Sequence, residues 1–151
     1  MVQKGFRILG ENEEKPWGGF LVVDSEQIKE FKNEFFRDLD LDESQYAQKL
    51  SPKILLIAPK KRLSWQYHHR RSEVWKLIAG EAGIVLSDSD EQGEEVAMEL
   101  QKLIKLRKGE RHRLVGKNTW GIVAELWVHL DPDHLSDEDD IVRLEDDFAR
   151  K

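Results

Sequence analysis

The chain has 151 residues, 39% apolar and 36% charged, which gives room for one domain with a sizeable core. It has no cysteine, which excludes a disulfide framework and thiolate chemistry. It also has no run of about 18 apolar residues and no basic segment leading into an apolar stretch, so no membrane partner is expected and the cytoplasm is the expected compartment. The net charge of −6 lies in residues 131–151, with nine acidic against three basic side chains; a neutral body with an acidic tail argues against a nucleic-acid partner.

Residues 6–9 suit a short strand, 11–15 a charged turn, and Pro16-Trp17-Gly18-Gly19 a break before an apolar strand at 20–23. Asp24 to Gln27 can cap a helix whose apolar stripe is Ile28, Phe31, Phe35 and Leu39, and Asp42 and Gln45 can open a second short helix through Leu50, stopped by Ser51-Pro52. A Phe stripe favours packing of this segment on the outside of the domain over a lid role. Further strands are expected at 53–58, 74–79, 81–86, 95–100, 102–106, 112–115 and 121–130, with Gly80 separating two of them and a polar turn at 87–93. Short strands at regular spacing with Gly-bearing turns indicate an all-β sandwich or barrel of one domain, 1–151. The tail, about 131–151, reads as an acidic run, but Ile141, Val142, Leu144 and Phe148 give it apolar surface to bury.

Within this frame, residues 63–80 carry the chemistry. In a strand, residues two apart share a face, so Gln66 and His68 project together, Trp65 and Tyr67 point the other way, and His69 is out of phase. A bend over 69–72 can bring Glu73 to the same point, and downstream Gly109 at a turn presents His112. Two imidazoles, one carboxylate and one amide oxygen suit a borderline divalent metal, zinc first and then nickel, cobalt, manganese or iron. Glu125 lies mid-strand among apolar residues, so it either faces a polar interior or sits at a solvated edge. Basic residues Lys60, Lys61, Arg62, Arg70, Arg71, Arg107, Lys108, Arg111 and Arg113 surround this region, either as solvated faces or as a site for a small anion.

The pattern Gln66-x-His68-x4-Glu73-x6-Gly80 with Gly109-x-x-His112 resembles the two signature motifs of the cupins, with Gln in place of the first His, as in phosphomannose isomerases. Lys15-Pro16-Trp17-Gly18, Arg62-Leu63-Ser64, Arg71-x-Glu73-x-Trp75, Gly109-x-x-His112-Arg113 and Asp139-Asp140-Ile141-Val142-Arg143 through Arg150 recur in order. Together they resemble the isomerase domain of bifunctional mannose-1-phosphate guanylyltransferase/mannose-6-phosphate isomerase proteins. The sequence departs from that pattern in the helical insertion, about 25–51, and at Lys60 for a turn Gly, Arg70 for a His, Arg107 for a Pro and Gly116 for an Asn.

The resemblance implies a cupin double-stranded β-helix, or jelly-roll barrel, with an N-terminal helical insertion. Gln66, His68, Glu73 and His112 then hold the metal, which acts as a Lewis acid in aldose–ketose isomerisation through an enediol. The implied substrate is a small sugar phosphate, mannose 6-phosphate and fructose 6-phosphate or a related heptose phosphate. Lys53 and Arg143 are the leading phosphate ligands, Arg150 a weaker one, and Trp17 lies near the substrate. Lys53, Glu125 and Arg143 are the catalytic candidates, and the base stays open between Glu125, Lys53 and a water on the metal. The alternatives are a non-catalytic sugar- or sugar-phosphate-binding cupin and another metal-dependent cupin enzyme such as a dioxygenase. A homodimer is plausible by cupin analogy.

Overall fold

The computed structural model describes residues 5–15, 17–41, 43–46, 50–129, 135–137 and 139–147. Among the described residues, nine strands form one curled antiparallel sheet: β1 Ile8–Lys15, β2 Gly18–Val23, β3 Lys53–Ile57, β4 Trp65–Tyr67, β5 Ser72–Ser87, β6 Glu95–Ala97, β7 Leu103–Leu106, β8 Arg111–Val128 and β9 Val142–Glu145. The path runs β1-β2-β3-β8-β4-β9, and β5 leaves it from β8 to carry β6 and β7. Two short helices, α1 Ile28–Phe35 and α2 Glu43–Tyr46, interrupt the strands between β2 and β3. The architecture is the expected all-β one with a helical insertion. Among the described residues no helix is long and apolar enough to cross a membrane.

The sheet has two faces, and strand alternation assigns residues to them. Leu55, Ile57, Trp75, Leu77 and Val123 fill the concave interior with Trp17, Leu63, Ile84 and Leu114. Ile54, Val74, Ala124 and Leu126, their neighbours in sequence, form a second cluster on the convex side with Val23, Phe31, Phe35, Phe36 and Leu39. The insertion therefore packs outside the barrel, and no described residue between 25 and 51 lines the central cavity. An eight-residue helix is marginal alone. Burying Phe31, Phe35 and Phe36, at roughly 1.5–3 kcal/mol each, holds it in place. Its residues end sooner than the stripe predicts: Phe36 is the C-cap, and Leu39 packs from beyond the helix. The second helix is a single turn, and residues 47–49 lie outside the described ones.

Several expected boundaries are corrected. Residues 11–15 are not a turn but part of edge strand β1, paired with β2, where a charged sequence discourages pairing with a further strand. Residues 95–100 are strand only to Ala97. The largest change is continuity: Gly80 does not end a strand, and 112–115 and 121–128 are one strand, with Leu130 outside the described residues. β5 and β8 run together from Ser72↔Val128 to Ser87↔Arg111, with register shifts at Leu77/Ala79 and Gly80/Ala82. These shifts reverse the alternation, so Ala82 and Ile84 share the interior with Trp75 and Leu77, and Leu114 shares it with Val123.

Gly80 makes the bend possible. Its φ is +73°, and a Cβ there would lie 1.8 Å from the carbonyl oxygen of Trp120. Gly80→Ala is expected to cost about 2–3 kcal/mol and lower Tm on the order of 5–10 °C. A Tm within about 2 °C of wild type would show that the bend can form elsewhere. Gly116 is set by a similar close approach, 2.0 Å from a built Cβ to the Ala58 oxygen, which leaves no room for the Asn usual at this position. The nearby turn keeps its shape with Lys60 at φ +63°, its Nζ donating to Asn118 Oδ1 at 2.6 Å.

Candidate metal centre

Each proposed ligand comes from a strand position the register dictates. Gln66 on β4 lies opposite His112 on β8, His68 follows directly after β4, and Glu73 is the second residue of β5, paired with Trp127 of β8. His68, Glu73 and His112 are buried, and one ligand atom from each lies within 4.8 Å of the others. Glu73 Oε1 is 3.2 Å from His68 Nε2 and 3.2 Å from His112 Nε2.

The tautomers follow from the other ring nitrogens. His68 Nδ1 lies 2.6 Å from the Asp140 carbonyl oxygen, and His112 Nδ1 lies 3.1 Å from that of Glu110. A carbonyl only accepts, so both Nδ1 atoms donate and both neutral rings turn an Nε2 lone pair inward. In keeping with that, Arg71 Nη2 and Gln66 Nε2 approach these nitrogens at 3.4 Å as donors. Glu73 Oε1 is buried, accepts no hydrogen bond from any described residue, and faces two lone pairs. Three electron-rich atoms aimed at one point, with both imidazoles oriented by backbone carbonyls, fit a divalent cation. Burial pushes the Glu73 carboxyl up and the Arg71 guanidinium pulls it down.

Gln66 stands in the wall with its amide turned the other way. Its oxygen accepts from Ser64 Oγ at 2.5 Å and its nitrogen faces His112. A half-turn of the amide exchanges the two, bringing the oxygen to the metal side and giving Ser64 a donor. Arg71, which the sequence places in a motif and in the basic cluster, stands against the candidate ligands. Its guanidinium stacks 3.7 Å over the Trp127 ring, donates to Glu73 Oε2 at 3.3 Å and reaches Ser136 Oγ at 2.9 Å. The available signal was its position two residues before a buried carboxylate.

Beside the three ligands opens a cavity of about 460 Å³ whose polar lining includes Lys15, Trp17, Lys53, Gln66, Arg71, Glu73, Glu125 and Arg143. Lys53 and Glu125 are registered partners on β3 and β8, and both point inward by the alternation that places Leu55 and Val123 there. Glu125 is thus an interior residue and not a solvated edge. Burial and the nearby Glu73 charge push its carboxyl up to about 7, against the opposing pull of Lys53, Arg71 and the Trp75 indole, which donates to it at 2.8 Å. Lys53 Nζ lies 5.1 Å from the Trp127 ring centroid. Arg143 sits on β9 opposite Gln66, at the cavity mouth. Trp17 lines the cavity with a buried indole N–H that has no hydrogen-bond partner among the described residues. Arg150 lies outside the described residues.

Most of the basic cluster has a different occupation from the small anion considered for it. Arg62 pairs with Asp147 at 2.6 Å, Arg70 with Asp137 at 3.1 Å, Arg113 with Glu145 at 3.6 Å, Arg107 with Asp88 at 2.6 Å and Arg111 with Asp90 at 2.8 Å. Arg62, Arg70 and Arg113 thus hold the acidic tail at Asp147, Asp137 and Glu145, together with the pairing of β9, while Arg107 and Arg111 hold the 87–93 turn. Of the nine basic residues, Arg71 alone lines the described cavity.

Similarity to known proteins agrees with this arrangement. The chain is 32% identical over 110 residues to the xanthan biosynthesis protein XanB of Xanthomonas campestris pv. campestris, covering 72% of this chain and 22% of XanB. XanB of strain B100 is 30% identical over 109 residues with the same shares, so the chain spans about a fifth of these curated relatives. Among solved structures, the capsular polysaccharide assembling protein CapF of Staphylococcus aureus superposes with a TM-score of 0.57 at 12% identity, over 93% of this chain and 34% of CapF. Oxalate oxidase in complex with glycolate gives 0.50 at 15% identity, over 63% of this chain and 46% of the oxidase. Such identities speak for the fold alone. The profile of the family described as mannose-6-phosphate isomerase C-terminal matches residues 32–146, and the chain, a cupin, belongs to that family.

Proposed function

We propose that the protein is a metal-dependent sugar-phosphate isomerase of the mannose 6-phosphate/fructose 6-phosphate type, or one acting on a related sugar phosphate such as a heptose phosphate. The observation that carries this is that Glu73, which converges with His68 and His112, also lines a cavity shared with Lys15, Lys53, Arg143 and a buried carboxyl, Glu125, tuned to about 7. His68, Glu73 and His112 would hold the metal, with Gln66 after its amide turns; among metals, zinc suits this nitrogen and oxygen set best. When bound, the metal supplies Lewis acidity toward the oxygens on carbons 1 and 2 of an open-chain sugar.

The protein's own groups account for the remaining requirements. A volume of about 460 Å³ lies in the range of small-molecule sites. Lys53 and Arg143, with Lys15, offer a phosphate positive charge and directional donors, which sets the register of the reacting carbons. The Trp17 N–H, buried and without a partner among the described residues, gains an acceptor when a ligand oxygen enters, which disfavours ligands lacking one. Glu125 is the proton carrier. As a carboxylate it takes the proton from carbon 2 of the aldose while the proton of the carbon 2 hydroxyl passes to the carbon 1 oxygen, giving the enediol as its monoanion. It then returns its proton to carbon 1 as the carbon 2 oxygen becomes the carbonyl.

The test is conversion of mannose 6-phosphate to fructose 6-phosphate by chelator-stripped protein before and after reloading with zinc. Activity that appears only on reloading supports the reading. Conversion at equal rates in both samples, or none by the reloaded protein on either hexose or heptose phosphates, overturns it.

A further inference from the structure

We propose that Asp140 is a positioning residue that sets His68 for the metal, which makes the C-terminal segment part of the centre's framework. This rests on the metal reading of the site and not on the identity of the substrate.

The two histidines are oriented by different means. His112 Nδ1 donates to the carbonyl of Glu110, two residues earlier in the same turn, so its orienter is local. His68 Nδ1 donates to the carbonyl of Asp140, 72 residues away, at 2.6 Å. Nothing in the chain near His68 supplies that partner, so the tautomer of His68 depends on where the C-terminal segment docks.

Asp140 is built to hold that contact. It is 4% exposed. Its Oδ1 accepts from the His69 N–H at 2.9 Å, and its Oδ2 accepts from the Arg70 N–H at 2.9 Å and from Ser136 Oγ at 2.6 Å. One carboxylate thus caps two consecutive amides of the bend that follows His68, and the same residue's carbonyl is locked against the imidazole. Strand pairing adds to this. β4 has a single registered pair with β8 but three with β9, Trp65↔Glu145, Gln66↔Arg143 and Tyr67↔Val142. The strand that carries Gln66 and leads into His68 is therefore held in the sheet chiefly by the C-terminal segment.

The test compares wild type, Asp140→Ala and Asp140→Asn by two readouts that need no substrate. Two-bond ¹H–¹⁵N spectra of the metal-free protein at about pH 8, where imidazole is neutral, report the histidine tautomers, and competition with a chromophoric chelator reports zinc affinity. In Asp140→Ala, zinc binding is expected to weaken about 10–100-fold. His68 is expected to lose its single-tautomer pattern while His112 keeps its own, which general loosening of the fold would not produce. Asp140→Asn retains an acceptor for one of the two amides and is expected to fall between. A folded Asp140→Ala with an unchanged His68 pattern and zinc affinity within about twofold of wild type overturns the proposal; a purely structural residue predicts that result. Should the Ala variant not fold, Asp140→Asn and Ser136→Ala carry the same test with the same two outcomes. A wild-type protein that binds no zinc overturns the metal reading itself, a result distinct from unchanged variants of a zinc-binding protein.

Discussion

His68→Ala is expected to remove tight zinc binding and lower isomerase kcat/KM by about a thousandfold or more, with the barrel still folded. In the proposed centre His68, Glu73 and His112 would each supply one ligand atom, so losing one leaves two, plus the Gln66 amide. Removing an imidazole also relieves a carboxylate of one facing lone pair, which limits the cost to stability. Glu73→Gln is expected to behave differently. Glu73 Oε2 accepts from Arg71, whose guanidinium is 6% exposed, and neutralising the acid leaves that charge buried without its carboxylate. The variant is expected to lose metal and also about 3–5 kcal/mol of stability. Chelator competition and urea unfolding separate the two cases. A His68→Ala protein with zinc-dependent activity within about tenfold of wild type would contradict the assigned ligand set.

Glu125→Gln is expected to lower kcat about 10²–10⁴-fold while leaving zinc affinity nearly unchanged, because in the proposed reaction the residue moves the proton and it is not among the converging candidate ligand atoms. The Trp75 indole keeps an acceptor in the amide, so the packing survives. The same variant tests the tuning of the carboxyl. A folded-state value of about 7, above the ordinary 4.5, favours the protonated form in the native protein. Its contribution to stability is full below about pH 4.5 and is lost as pH rises through about 7. In chelator-treated protein, Glu125→Gln is therefore expected to be more stable than wild type at pH 8, by up to about 3 kcal/mol, and equal to it near pH 4.5. Parallel stability–pH curves for the two proteins would contradict the buried, raised carboxyl.

The convergence of the candidate metal ligands was legible because the information is local. Alternation alone puts Gln66 and His68 on one face, and the bend at 69–70 and the turn at Gly109 lie where the residue types indicate them. Lys53 was equally legible in principle, since it shares its parity with Leu55 and Ile57, both interior. The continuity of β5 and β8 was not, because a glycine in a strand pattern signals a turn and a bend alike, and only the opposing strand distinguishes them. The pairing of Arg62, Arg70 and Arg113 with the tail was hidden for a related reason: like residues attract a free anion or a carboxylate of the same chain, and the choice is made by the tertiary fold. Asp140 was the least visible. Its contact with His68 uses a backbone carbonyl, which every residue has, so no residue type announces it.

The most direct measurement is proton NMR of mannose 6-phosphate and fructose 6-phosphate in deuterated buffer with zinc-loaded protein, run beside chelated protein and Glu125→Gln. The account predicts deuterium at carbon 1 or carbon 2 with the loaded wild type alone. Absence of exchange with both hexose phosphates and with heptose phosphates, or exchange that persists without metal, would contradict it.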